Sequence, residues 1–157
     1  MNRSECAYEL FRSGYNCCQS VVLAFSDYIA AKGGPDESTL AMICSGFGGG
    51  MGRMREVCGT VSGMTILAGF IIPAVDVDDR AAKTANYELV RHFAERFREL
   101  NGSIVCRELL GLTPLMKESA APSPRTPGYY EKRPCGELCR IAASIVEQYL
   151  NENKENK

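Results

Sequence analysis

The sequence lacks the features of several common protein classes. Its 18 lysines and arginines balance 19 aspartates and glutamates, so the net charge is only -1. Such a balance provides no basic surface for nucleic acid, and no nucleic-acid partner is expected. The chain also lacks a basic stretch followed by an apolar run near its start, so the sequence predicts no secretory signal and a cytoplasmic location.

The length and composition favour one globular domain. The chain has 157 residues, of which 45% are hydrophobic and 24% charged, so we expect a single unit over residues 1–157. No convincing strand pattern or internal repeat is present, whereas apolar residues recur at helical spacing. The sequence therefore predicts an all-α fold, a compact bundle of about six or seven helices.

Capping residues and glycines place the predicted helices of the N-terminal half. Ser4 is expected to cap a helix that ends before Gly14, and Asn16 a second helix that runs to about Ala30. A brief helix is predicted over residues 37–43. Because Cys17 and Cys18 then start the second helix, unpaired amide groups there would lower the pKa of a thiol.

The next predicted helix begins at Asp76 or Asp78 and ends near Leu100, before an Asn-Gly stop. Its expected inner stripe comprises Tyr87, Val90, Ala94 and Phe97. The only histidine, His92, lies on the opposite face among Glu88, Glu95 and Glu99. We interpret that face as a solvated surface rather than a metal site, which leaves no base for cysteine–histidine catalysis.

The C-terminal third is predicted to begin with a short helix over residues 104–110. A proline-rich strap over residues 111–134 then holds five of the seven prolines, so no regular element is expected there. The sequence leaves open whether this strap is mobile or ordered. Cys135 starts the last helix, and the polar tail over residues 151–157 is expected to fray.

Residues 57–75 form an uncharged segment that is long enough to span a membrane as a helix. The segment also holds Thr60, Ser62, Thr65, three glycines and Pro73, so we expect no membrane insertion. Gly59 and Gly63 lie one helical turn apart and predict close packing against a neighbouring helix or a second subunit. A homodimer is a prediction of this apolar stretch.

A glycine loop, defined here as residues 45–53, holds five of the 15 glycines. It is predicted to use unusual backbone angles and to approach another group closely, because glycine has no side chain to prevent either. A phosphate cradle is not favoured, since no Lys-Ser or Lys-Thr pair follows as a P-loop requires.

Eight cysteines are the most unusual feature of the composition. None forms the C-x2-C pair of strong zinc signatures, although Cys135 and Cys139 lie one helical turn apart and could share an ion. Cys17 and Cys18 point to different faces of their helix. Cys6, Cys18 and Cys44 fit better as small buried hydrophobes. Any metal or redox site must therefore be assembled by the tertiary fold.

Several motifs together resemble the C_GCAxxG_C_C family, which is described as redox-active and named for its cysteine pattern. They are, in chain order, GYNCCQSV from Gly14, GFGGGMG from Gly46, CGTVSG from Cys58, CRELLG from Cys106 and a late Cys135. The resemblance maps the four family cysteines onto Cys17, Cys58, Cys106 and Cys135. Thr60 stands where the family motif has alanine, and Cys139 lies where the family tends to be aliphatic.

The resemblance implies redox activity with an unknown redox partner protein. In one mechanism the four cysteines bind an iron–sulfur cluster, of the [2Fe–2S] type, and backbone amides of Gly48, Gly49, Gly50 and Gly59 tune it. In another, Cys17 or Cys58 attacks and Cys106 or Cys135 resolves a disulfide. A structural zinc site is the third alternative. Split-Soret cytochromes carry a related cysteine region beside an iron centre, but no C-x-x-C-H motif predicts haem here.

Overall fold

Helices make up the regular structure of residues 2–112 and 117–154, the part of the chain that the computed structural model describes. Among these residues there are nine α-helices and one 3-10 turn at Ser45–Phe47. The α-helices are α1 (Arg3–Arg12), α2 (Cys17–Leu23), α3 (Ser26–Ala31), α4 (Glu37–Cys44), α5 (Gly59–Ile71), α6 (Arg80–Asn101), α7 (Cys106–Leu109), α8 (Pro127–Lys132) and α9 (Cys135–Lys154). Six of them have seven or more residues, which confirms the predicted all-α class.

Helices α2 and α5 form the centre of the bundle. Helix α2 packs against α1, α4, α5 and α9, and α5 also packs against α6 and α9. A Cβ atom on Gly63 would lie 3.0 Å from the Cβ of Val21, so the two central helices approach as closely as the predicted glycine spacing indicated. The largest fully buried side chains are those of Phe25, Phe93, Phe97, Ile29, Leu40, Met64 and Leu67.

The uncharged segment over residues 57–75 is mostly accounted for by α5. Val61, Met64, Leu67 and Ala68 are buried in the chain's own core, whereas Val75 is 89% exposed, and the homodimer stays a prediction. Within the described residues, no helix combines the length and the apolar character needed to span a bilayer.

The N-terminal helices differ in detail from the prediction. The side chain of Asn2, rather than Ser4, caps α1 by accepting the N–H of Glu5 at 2.8 Å, and the Ser4 hydroxyl donates to Asn2 instead. Asn16 caps α2 as predicted. The expected single helix to residue 30 is interrupted, because Phe25 has non-helical angles and separates α2 from α3 while its side chain is fully buried.

Helix α6 begins later than predicted. Asp79 caps it by accepting the N–H of Ala82 at 2.9 Å, whereas Asp76 closes the preceding turn by accepting the N–H of Asp78. The helix ends at Asn101, and the φ of +86° at the following Gly102 confirms the predicted stop. Its buried residues are Leu89, Phe93 and Phe97, with Val90 and Ala94 partly buried, while Tyr87, expected inside, is 66% exposed. His92 is exposed, as expected.

The proline-rich strap contains helix α8, although no regular element was predicted there. Pro127 occupies the start of this helix, where the missing N–H has no intrahelical partner in any case, and Thr126 supplies the cap. The Tyr130 hydroxyl donates to the carbonyl of Arg12 at 3.1 Å and ties this part of the strap to the end of α1. Helix α9 continues to Lys154, beyond the residue at which fraying was predicted. Residues 113–116 of the strap and 155–157 of the tail lie outside the described residues.

Candidate functional site

One small cavity is lined by four cysteines that lie far apart in the sequence. Cys17, Cys58, Cys106 and Cys135 all line it, and its volume is about 50 Å³. Cys58 and Cys106 are buried and the other two are half-buried. We call these residues the cysteine quartet. The structure thus brings together the four cysteines that the sequence singled out.

Every member of the quartet stands at the beginning of a helix. Cys17, Cys106 and Cys135 are the first residues of α2, α7 and α9, and Cys58 directly precedes α5. The first turn of a helix has N–H groups without intrahelical partners, and in long helices such as α5 and α9 it carries partial positive charge. This placement favours sulfur atoms that bear negative charge.

A short backbone pairing brings Cys58 next to Cys106. Val57 and Val105 form an antiparallel bridge. The N–H of Cys58 donates to the carbonyl of Ile104 at 2.8 Å, and the N–H of Cys106 donates to the carbonyl of Glu56 at 2.6 Å. Each cysteine therefore follows a bridge residue, and the two helices that they begin start from one place.

The glycine loop has the unusual backbone that the sequence predicted. Gly49 and Gly50 have φ of +65° and +71°, and the left-handed values continue through Met51, Arg53 and Arg55 at +67°, +61° and +59°. For residues with a side chain such angles are uncommon and cost about 1–3 kcal/mol each. The surrounding contacts must therefore hold this loop in place.

The predicted cofactor-binding glycines contact the cysteines or the residues beside them. A Cβ on Gly59 would lie 2.5 Å from the Sγ of Cys17, and one on Gly50 would lie 2.7 Å from the Cβ of Cys106. A Cβ on Gly48 would lie 2.8 Å from the Cβ of Asn16, the residue that caps α2. Of the four, Gly49 lines the cavity itself, and its backbone N–H lowers the pKa of the Cys17 thiol.

Burial and hydrogen bonding act in opposite directions on the pKa values of Cys17 and Cys58. Burial raises the pKa of Cys17, although the N–H groups of Gly49, Cys17 and Cys18 lower it in part. Burial likewise raises the pKa of Cys135 to about 12 and raises the pKa of Cys58 well above its ordinary value. These sulfurs are consequently protonated at neutral pH in the free protein, and a positively charged group would be needed to balance the thiolates.

Thr60 contacts the most deeply buried part of the site. Its Oγ1 lies 3.1 Å from the Sγ of Cys58 within hydrogen-bond distance, and its side chain is fully buried. Its hydroxyl and its backbone N–H both lower the pKa of Cys58 in opposition to burial. The residue that departs from the family motif is thus a direct hydrogen-bond partner of a quartet cysteine.

Three arginines that the sequence analysis did not single out also line the cavity. They are Arg55, Arg125 and Arg133. The Nη1 of Arg55 donates to the Sγ of Cys106 at 3.7 Å, and its other nitrogens bond to Glu118. No spacing in the sequence marks these residues, because two of them come from the proline-rich strap.

The remaining cysteines are not among the lining residues of the cavity. Cys18 and Cys44 are fully buried, and Cys6 packs half-buried against the core. Cys139 is also fully buried, and its thiol donates to the carbonyl of Cys17 at 3.8 Å. Cys139 therefore supports α2 from below rather than facing the cavity.

The quartet shares a cavity without forming a compact group around one point. Among the described residues, no three histidine, cysteine, aspartate or glutamate side chains are arranged to hold a single metal ion. A cavity of about 50 Å³ has room for roughly three or four water-sized atoms. The space between the cysteines suits a small group of a few atoms.

Comparison with known proteins agrees with the sequence pattern. Searches of curated proteins and of solved structures gave no significant match. A family model described as "Putative redox-active protein (C_GCAxxG_C_C)" matches residues 15–149. That range contains the whole quartet, the glycine loop and most of α9. The chain therefore belongs to the C_GCAxxG_C_C family of redox-active proteins.

Proposed function

We propose that the chain is an electron-transfer protein whose cysteine quartet binds an iron–sulfur cluster of the [2Fe–2S] type. One observation carries the proposal: four cysteines at the starts of four separate helices line a single cavity of about 50 Å³. Four cysteine thiolates are the usual ligands of such a cluster, and its core has four inorganic atoms, which matches the size of the space. When bound, a cluster of this kind accepts and donates single electrons.

A cluster and a zinc site differ in the space that the four ligands enclose. A zinc site draws four ligands tightly around one point, whereas a two-iron cluster divides its four ligands between two metal positions. The quartet lines a cavity of about 50 Å³, and this common space is the support for the cluster proposal. Elemental analysis distinguishes the two kinds of site.

The surroundings of the quartet suit negatively charged sulfur. The backbone N–H groups of Gly49, Cys17 and Cys18 lower the pKa of the Cys17 thiol in opposition to burial. The Thr60 hydroxyl is placed to donate to Cys58, and Arg55 donates to Cys106 at 3.7 Å. Such contacts to ligand sulfurs tune the potential of a bound cluster, because they stabilise the more negative, reduced state.

Each of these chain groups has a definite task. The quartet supplies the ligands, the glycine loop brings main-chain donors close to them, and the arginines offset the charge of the thiolates. The hydrophobic core beneath, which includes the fully buried Cys139, keeps water from the inner side of the site. Arg125, Tyr129 and Arg133 of the strap also line the cavity and would lie against a bound group.

The proposal is tested by protein purified without oxygen and analysed for iron, acid-labile sulfide and zinc. We expect about two irons and two sulfides per chain, with a brown colour that bleaches in air. Serine substitution of any quartet member should abolish iron and sulfide binding. Cys6→Ser and Cys44→Ser are the matched controls, since both cysteines lie off the cavity and their loss should lower only stability.

Three other results would contradict the proposal. Equal loss of iron in the control and quartet variants would mean that the quartet has no special role. A colourless protein with one zinc per chain would favour a structural zinc site. Metal-free protein whose thiol count falls by two or four on oxidation would favour thiol–disulfide exchange.

A further inference from the structure

A second, larger space adjoins the cysteine cavity and has a strongly basic wall. This cleft has a volume of about 440 Å³ and is lined by four arginines: Arg53, Arg55, Arg125 and Arg133. Among the described residues that line it, none is acidic. Three of the four arginines line the cysteine cavity as well, so the two spaces share a wall. We call the larger space the arginine cleft.

The positive charge of the arginine cleft is only partly balanced. Arg53 and Arg55 both pair with the same carboxylate, that of Glu118, with Nη2 to Oε1 distances of 3.2 and 3.1 Å. Four guanidinium groups thus have one carboxylate between them. A half-buried excess of one charge sign in a cleft attracts ions of the opposite sign.

Arg125 and Arg133 carry the unbalanced charge. Arg125 donates to the carbonyls of Phe11 and Tyr15 at 3.3 and 3.2 Å, which are neutral partners. Arg125 and Arg133 also lie over the ring of Tyr129, at 4.7 and 4.9 Å from its centroid. Neither arginine forms an ion pair with a carboxylate of the described residues. Contact with the Tyr129 ring helps to position both guanidinium groups without neutralising their charge.

We infer that the arginine cleft binds a small molecule bearing two or more carboxylate or phosphate groups. Planar guanidinium groups recognise both kinds of anion through paired hydrogen bonds. A volume of about 440 Å³ lies within the range of small-molecule sites, roughly 300–1,000 Å³. It is also much larger than the cysteine cavity, so charge balance for the quartet alone does not explain it.

The role of the bound molecule beside a redox centre rests on the proposed function, whereas its binding does not. A ligand in the arginine cleft would lie directly beside the redox centre, with Arg55 and Gly49 on the wall between them. Binding itself needs only the arginines. The test therefore uses metal-free protein, and it gives its answer whether or not the chain takes up iron.

The experiment is isothermal titration of metal-free protein with citrate and with pyrophosphate, at constant ionic strength in sodium chloride. The two probes distinguish carboxylate from phosphate recognition. We expect saturable binding of at least one probe, weakened about tenfold by Arg133→Gln, because one charge-assisted contact is removed. Arg133→Lys keeps the charge but loses the fork, and it should bind with intermediate affinity.

Arg96→Gln is the matched control. Arg96 lies on α6, pairs with Glu99 at 3.1 Å and does not line the cleft, so its loss removes the same charge elsewhere. The far-ultraviolet circular dichroism spectrum and the midpoint of thermal unfolding establish whether each variant is folded. If Arg133→Gln does not fold, the comparison of Arg133→Lys with Arg96→Gln gives the answer.

Three results would overturn the inference. The first is the absence of binding of either probe to the wild-type chain. The second is an equal loss of affinity in the Arg133 and Arg96 variants, which would mean that only net charge matters. The third is binding of a hexaglutamate peptide without binding of citrate or pyrophosphate, which would assign the arginine cleft to an acidic protein partner instead.

Discussion

Gly59 is the residue of helix α5 that lies against the sulfur of Cys17. Replacing it with alanine would place a Cβ 2.5 Å from the Sγ of Cys17, 2.9 Å from the carbonyl oxygen of Phe47 and 3.2 Å from the N of Cys18. Two of these neighbours are backbone atoms, so α2 or α5 must shift. Overpacking of this kind costs about 1–3 kcal/mol.

Helix propensity opposes this penalty but does not cancel it. Alanine is favoured over glycine in a helix by at most about 1 kcal/mol. We therefore expect Gly59→Ala to lower the free energy of unfolding by about 1–2 kcal/mol. The displaced Cys17 sulfur should also reduce iron and sulfide uptake. Gly69→Ala in the same helix is the control, since a Cβ there meets nothing within 4 Å.

The assay is urea denaturation of metal-free protein, followed by iron and sulfide analysis after anaerobic loading. With a typical slope of about 2 kcal/mol/M, the midpoint for Gly59→Ala should fall by roughly 0.5–1 M. Gly69→Ala should raise it, because its alanine gains helix propensity without a clash. A Gly59→Ala variant that is as stable as Gly69→Ala and takes up iron like the wild type would show that the close contact at Gly59 has no energetic effect.

Three further predictions concern single contacts. Thr60→Val removes the hydroxyl that lies 3.1 Å from the sulfur of Cys58, so the midpoint potential of the iron-loaded protein, measured by voltammetry, should become more negative. Thr60→Ser keeps a hydroxyl and should have the wild-type potential. An unchanged potential in the valine variant would contradict this role of Thr60. Asn16→Ala removes the cap that accepts the N–H of Gln19 and should lower the free energy of unfolding by about 1 kcal/mol in urea, a prediction that an unchanged midpoint would refute. Arg3 lowers the pKa of Asp27 through a side-chain hydrogen bond, so the pair stabilises the fold above about pH 4 and loses this effect as the pH falls. Asp27→Asn should therefore melt below the wild type near neutral pH and converge with it in acid, and a constant gap would contradict the assignment.

Local signals in the sequence were sufficient where one residue determines the structure. Asn16 was identified as a cap and Gly102 as a helix stop, because each satisfies helix-end groups by itself. The glycine loop was recognised because its composition permits the left-handed angles seen at Gly49 and Gly50. Elements whose ends depend on packing against distant residues are harder to predict from the sequence. The break between α2 and α3 at Phe25 is an example, because no local signal indicates it.

Some residues of the candidate site are marked in the sequence and others are not. The four cysteines of the quartet can be identified because the motifs around them follow the order of the C_GCAxxG_C_C pattern. The arginines could not, since Arg125 and Arg133 reach the cavity only when the strap folds back over α1. The bridge between Val57 and Val105 joins residues almost fifty positions apart, and no periodicity marks such an isolated pair. Tertiary packing, rather than any local preference, assembles the cavity.

In the proposed function, the cysteine quartet surrounds one iron–sulfur centre. The most direct test is iron K-edge X-ray absorption of wild-type protein loaded with iron and sulfide without oxygen. We predict that sulfur is the only neighbour in the first shell of iron, that a second iron lies just beyond it, and that Cys58→Ser abolishes this signal. Iron with nitrogen or oxygen ligands, or wild-type protein that retains no iron, would contradict the account.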